Sequence, residues 1–170
     1  MKQMLQTTAK QKILISACLM GEKVRYNGTD LFIEHPLLKQ WQHEGRLTPI
    51  CPEVSGGMST PRAPSEIING NGKTVLSKQT PVIDNTGNDV TQAFILGAHK
   101  TLQIAKENHC IAAILTERSP SCGSSLIYDG SFSGQRIKGM GVTTALLEQH
   151  NIRVFSQEQI EQLAIYLENM

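Results

Sequence analysis

No run of apolar residues in this chain exceeds six or seven, far below the roughly 18–20 needed to cross a bilayer, which excludes a membrane-spanning helix. An excess of one charge is missing too. Sixteen basic residues stand against fifteen acidic ones, so no electrostatic footprint for bulk nucleic acid or an anionic membrane is present. Small, nearly neutral partners fit that balance better. The opening MKQMLQTTAKQ lacks the apolar core of a secretory signal. It reads as a flexible leader over residues 1–11, and a cytoplasmic address is expected. No internal repeat or low-complexity tract interrupts the rest. Residues 12–170 are therefore expected to form a single domain around one core, as a monomer or weak homodimer.

Cysteine is sparse as well, with four in 170 residues. A reduced cytosolic chain of this length neither keeps nor needs disulfide staples. Ligation or nucleophilic chemistry is what remains for these thiols.

What is present is a regular alternation of buried-strand and helix patterns. Lys12–Ser16, Leu47–Cys51, Cys110–Thr116 and Arg153–Ser156 are short apolar runs without alternation, the pattern of strands covered on both faces. Between them, Pro36–Glu44 reads as a helix with Pro at its first position and Gly45 as its left-handed stop. A long helix follows from an Asn88 or Asp89 cap to about Asn108, with Val90, Phe94, Ala98, Leu102 and Ala105 at helical spacing. Gly141–His150 and Gln157–Glu168 read as further helices, the last with Ser156 and Gln159 as a capping box. Lys73–Val82 reads as a small hairpin. The stretches 52–72 and 117–134, rich in Gly, Pro and Ser, read as long loops of the kind that carry function. The sum is an α/β fold: a three-layer, mainly parallel sheet with helices on both faces, Rossmann-like or flavodoxin-like. In such folds the ligand crevice lies at the carboxyl ends of the strands.

Cys18, Cys51 and Cys122 all fall at that edge, in SACLMG, CPEVSGG and SPSCGSS. Each sits among small residues that expose backbone N–H groups and permit close approach. Cys110, by contrast, opens an apolar strand with no such motif and is assigned to the core. Three converging thiolates call for a soft cation: zinc, copper(I) or an iron–sulfur cluster. Zinc lacks a fourth donor, since none of the five histidines falls in a cysteine loop. A cluster held by three cysteines leaves one iron open as a Lewis acid. A phosphatase loop is excluded because Tyr128 stands where its arginine is required. A two-cysteine racemase, pairing Cys18 with Cys122 or Cys51, leaves the third cysteine unexplained.

The succession SACLMGEKVRYNG, PICPEVSGGMSTPRAPSEI, DVTQAF, SPSCGSSLIYDGSFSG and GVTTALL resembles the thiouracil desulfidase family from about Ile13 to Ser156. The resemblance implies a 4Fe-4S cluster on Cys18, Cys51 and Cys122, with the fourth iron free for the substrate's sulfur. It also implies non-redox, hydrolase-type removal of sulfur from 2- or 4-thiouracil or the corresponding nucleoside or nucleotide. Within that frame Glu53 is the first candidate acid/base for an attacking water, and Ser119 and Ser121 are placed beside the cluster. Arg62, Glu66 and Tyr128 are candidate substrate contacts. Arg62, Arg118, Arg136 and Lys138 form a local basic group suited to a phosphate. An iron–sulfur carrier or a redox sensor remains the competing reading; either holds a cluster without turning over a pyrimidine.

Overall fold

The computed structural model describes residues 10–170. In chain order the elements are β1 (Lys12–Ser16), a 3₁₀ turn (Ala17–Met20), α1 (Pro36–His43), β2 (Leu47–Ile50), α2 (Pro52–Ser55), β3 (Ser65–Ile67), α3 (Gly72–Leu76) and β4 (Val82–Asp84). There follow α4 (Thr91–Glu107), β5 (Cys110–Leu115), β6 (Leu126–Tyr128), β7 (Arg136–Lys138), α5 (Val142–Gln149), β8 (Arg153–Ser156) and α6 (Ile160–Glu168). No helix among the described residues is long and apolar enough to cross a membrane.

The four apolar runs pair as one parallel sheet in the order β2-β1-β5-β8. Successive side chains of a strand point to opposite faces, and the two faces feed separate cores. Leu14, Ala113, Leu115 and Val154 pack with Phe94, Ala98 and Leu102 of α4 and with Val142 and Leu146 of α5. Ile13, Ile15, Ala112, Ile114 and Phe155 pack with Leu38 and Trp41 of α1 and with Ile160, Leu163 and Leu167 of α6. The expected three-layer α/β architecture is therefore present. Because β1 continues to β2 on one side and the chain then returns to place β5 on the other, the loops after β1 and β5 diverge. A crevice opens between them, as at the switch point of any open parallel sheet.

The local readings held where a cap or period was strong. His35 caps α1 by accepting the Leu37 N–H at Nδ1, and Gly45 takes φ +70° just past its end. Asp89 accepts the Thr91 N–H at the start of α4. The final helix begins later than expected, at Ile160, while Ser156 N–H is held by the Gln159 side chain.

The readings over 52–82 and 117–134 required correction. No hairpin forms over 73–82. Instead Asn71 and Thr74 close a capping box that starts α3, and Val82–Asp84 pairs with Ser65–Ile67, an antiparallel partner from within the supposed loop. The second supposed loop likewise holds β6, paired with β7. Strands of three residues carry no readable periodicity, so only the distant partner reveals them. The loop after β2 also contains the one-turn helix α2, which packs on α4 through glycines. A Cβ on Gly97 would lie 2.0 Å from the Pro52 carbonyl oxygen, and one on Gly56 would lie 2.1 Å from that of Ala93.

Of the expected leader, residues 1–9 lie outside the described residues. Lys10 is paired with Glu44 at 2.8 Å, and the Gln11 carbonyl accepts from Arg46 Nε at 2.8 Å.

Candidate active site

Three strand ends deliver the thiols. Cys18 lies in the 3₁₀ turn after β1, Cys51 directly follows β2 and opens α2, and Cys122 sits in the long loop after β5. All three line one cavity of about 640 Å³, within the size range of small-molecule sites. The turn at Cys18 is closed by Gly21, whose φ of +94° favours glycine, and the Cys18 carbonyl accepts from the Leu31 N–H. Cys18 Sγ lies 3.1 Å from Thr116 Oγ1, and Thr116 N–H in turn donates to Ser16 Oγ, which ties the ends of β1 and β5 together. Cys51 Sγ faces the Val24 carbonyl at 3.9 Å. Cys110 is buried in the β5 core, where it was assigned, and does not line the cavity.

Burial pushes the Cys18 and Cys51 thiols up, the Thr116 hydroxyl opposing the shift at Cys18. The Cys122 thiol is held well above the ordinary cysteine range. Burial is the chief cause, partly opposed by the Ser121 hydrogen bond and reinforced by the charges of Glu53, Cys51 and Cys18. Uncompensated negative charge is disfavoured here, so three thiolates need a cationic partner. Three sulfur donors are a soft set, suited to a soft cation or an iron–sulfur cluster.

Beside the thiols runs a chain of directed hydrogen bonds. Ser119 Oγ accepts the N–H groups of Ser121 and Cys122 at 3.1 and 3.2 Å. Its own proton then points to Ser121 Oγ at 2.9 Å, and the Ser121 hydroxyl donates to Glu53 Oε2 at 3.1 Å. Glu53 Oε1 accepts from Arg62 Nε at 3.2 Å. Ser121 is buried behind the cavity wall, with Oγ 3.4 Å from Cys122 Sγ. Glu53 and Ser119 reach the cavity itself. The remaining Arg62 nitrogens donate to Val24 O at 3.0 Å and to Ser59 O and Thr60 Oγ1, both at 3.2 Å. Arg62 thus orients Glu53 and clamps the first two cysteine loops together. Glu66 accepts the N–H groups of Gly130 and Phe132 at 2.9 and 3.3 Å, joining the β3–β4 ribbon to the loop after β6. Tyr128, the last residue of β6, lines the cavity. Of the basic group, Arg62 and Arg118 line the cavity, whereas Arg136 and Lys138 are exposed on β7 away from it.

The sequence reading missed Glu117. Its Oε1 accepts the consecutive N–H groups of Ser124, Ser125 and Leu126 at 2.8, 3.0 and 3.1 Å, and Oε2 accepts from Ser124 Oγ at 2.9 Å. An acid at a strand end followed by a run of small residues was the available signal. Burial works to raise the Glu117 pKa, but the donated N–H groups outweigh it and hold the carboxyl below its ordinary value of 4.5. The folded pKa is depressed, so the stabilisation is fully present above pH 4.5 and is lost as pH falls through the lower folded value. Glu117→Gln is expected to cost about 2 kcal/mol and to flatten the loss of stability below pH 4.5. Denaturant titrations between pH 7 and 3 check both; a variant as acid-sensitive as the wild type would clear Glu117 of this role.

Residues 13–159 match the model of the 2-thiouracil desulfurase family. The chain belongs to that family. The family resemblance read from the cysteine motifs is borne out. The chain is 46% identical over 151 residues to the uncharacterized protein YbbK of Bacillus subtilis (strain 168), covering 89% of this chain and 99% of that protein. It also resembles a solved structure, the [4Fe-4S]-dependent thiouracil desulfidase TudS, with a TM-score of 0.86 and 42% identity over 95% of this chain and 100% of that one. In this chain Cys18, Cys51, Cys122 and Glu53 line one cavity.

Proposed function

We propose that this protein is a [4Fe-4S]-dependent desulfidase that converts a thiolated uracil and water into uracil and hydrogen sulfide, without net oxidation or reduction. The observation that carries this reading is the meeting of three soft sulfur donors and an oriented carboxylate, Glu53, in one cavity. The structural likeness to TudS supports the cluster type. Cys18, Cys51 and Cys122 would hold the cluster. When bound, it supplies a Lewis-acidic iron for the substrate's sulfur.

The chain's own residues supply the rest. Glu53, turned into the cavity and fixed at both oxygens by Arg62 and Ser121, takes the proton from the attacking water and returns it to the departing sulfur. Ser121 and Ser119 hold the carboxylate and the Cys122 loop in register. Tyr128 offers a flat face to the pyrimidine, and Glu66 keeps the loop beside it folded back. The substrate is a free thiouracil or its nucleoside or nucleotide, small enough for the cavity. A cluster carrier would leave the oriented Glu53 without a task.

Anaerobic purification should give a brown protein with iron and acid-labile sulfide. Mixed with thiouracil, it should bleach the near-ultraviolet thione band and release uracil and sulfide one to one. Iron-free protein with full turnover would overturn the cluster assignment, and a loaded protein that leaves the thione intact would favour a carrier.

A further inference from the structure

We infer that Ser65 is a recognition residue for the ring carbonyl of the pyrimidine, an inference that rests on the functional reading above. Ser65 opens β3 and is buried, yet its Oγ has no hydrogen-bond partner among the described residues. Buried hydroxyls are nearly always bonded, because leaving one unmet costs the full desolvation of the group. The neighbouring acids do not meet it. Glu66 is engaged by the Gly130 and Phe132 amides, and Asp84, its cross-strand partner, by Thr86 and Asn88. Alanine at this position would keep the strand and remove the cost, so the fold itself makes no use of the hydroxyl.

The location supplies a use. Ser65 lines the same cavity as the three thiols, Glu53 and Tyr128. The other unpartnered hydroxyl, on Thr143, lies in α5 and lines no part of that cavity, so burial without a partner does not by itself mark a binding role. A thiouracil directed by its sulfur toward the cysteines still carries one ring carbonyl and two ring N–H groups. With Tyr128 against the ring face, the Ser65 hydroxyl donates to that carbonyl.

Ser65→Ala tests the assignment in the cluster-loaded enzyme. KM for thiouracil is expected to rise about fivefold, the factor of one neutral hydrogen bond, with kcat within about twofold of wild type. The melting temperature should stay or rise, because an unsatisfied group has been removed, whereas a residue needed only for the fold would lower it. Pyrimidine-2-thione, which lacks the ring carbonyl, should inhibit both proteins with the same constant. Unchanged KM in a wild type that does turn over thiouracil, an equal loss for both ligands, or a lowered melting temperature overturns the Ser65 assignment alone. A wild type inert toward thiouracil overturns the functional reading and this inference with it.

Discussion

Replacing any one of Cys18, Cys51 or Cys122 by serine is expected to remove most of the iron and sulfide from the anaerobically purified protein and to lower desulfidation by at least about a hundredfold. Each comes from a different loop, so no neighbour supplies a substitute donor. A hydroxyl is a poor replacement for a soft thiolate toward iron. Cys110→Ser is the internal control. That thiol is buried at the start of β5, remote from the cavity. The change should cost stability of about 1–2 kcal/mol, as for a polar group introduced into a core, and leave cluster content nearly intact. Iron and sulfide analysis beside a melting curve reads all four variants. Equal cluster loss in all four would refute the separation of ligand from core cysteine.

Glu53→Gln should keep the cluster and lower kcat by about 10²–10⁴-fold, the range for loss of a general acid or base. Glutamine occupies the same volume and offers a carbonyl to Arg62 or Ser121, so the loop geometry survives while proton transfer does not. The expected signature is a normal visible spectrum and iron content with turnover nearly absent. A cluster-free E53Q protein would instead assign Glu53 to loop assembly. Arg62→Lys separates orientation from chemistry. A single ammonium does not reproduce the bonds to Glu53, Val24, Ser59 and Thr60 at once, so a smaller loss, of about tenfold, is expected, with a lowered melting temperature.

Much of the layout was readable because it rests on local signals. Four apolar runs without alternation mark strands covered on both faces, and the starts of the helices at Pro36 and after Asp89 are set by residues within three positions of them. The cysteines stood out because each followed a strand and was surrounded by small residues. The short ribbons escaped notice since each strand has only three residues and is held by a partner strand elsewhere in the chain, a contact with no local trace. Glu117 escaped for a related reason: the run of small residues after it hints at open backbone amides, but not at which carboxylate they meet.

By itself the sequence determined the strand and helix succession, the carboxyl edge where a site must form, and the three thiols that belong to it. Only the tertiary structure decided how the acid groups divide their work. Arg62 and Ser121 fix Glu53 at the cavity, while Glu66 and Glu117, which also line it, accept backbone amides of neighbouring loops. The physical reason is that a carboxylate's task depends on which donors reach it. Those donors lie 68 residues from Glu53 at Ser121 and 64 from Glu66 at Gly130, distances along the chain that only the parallel sheet brings together.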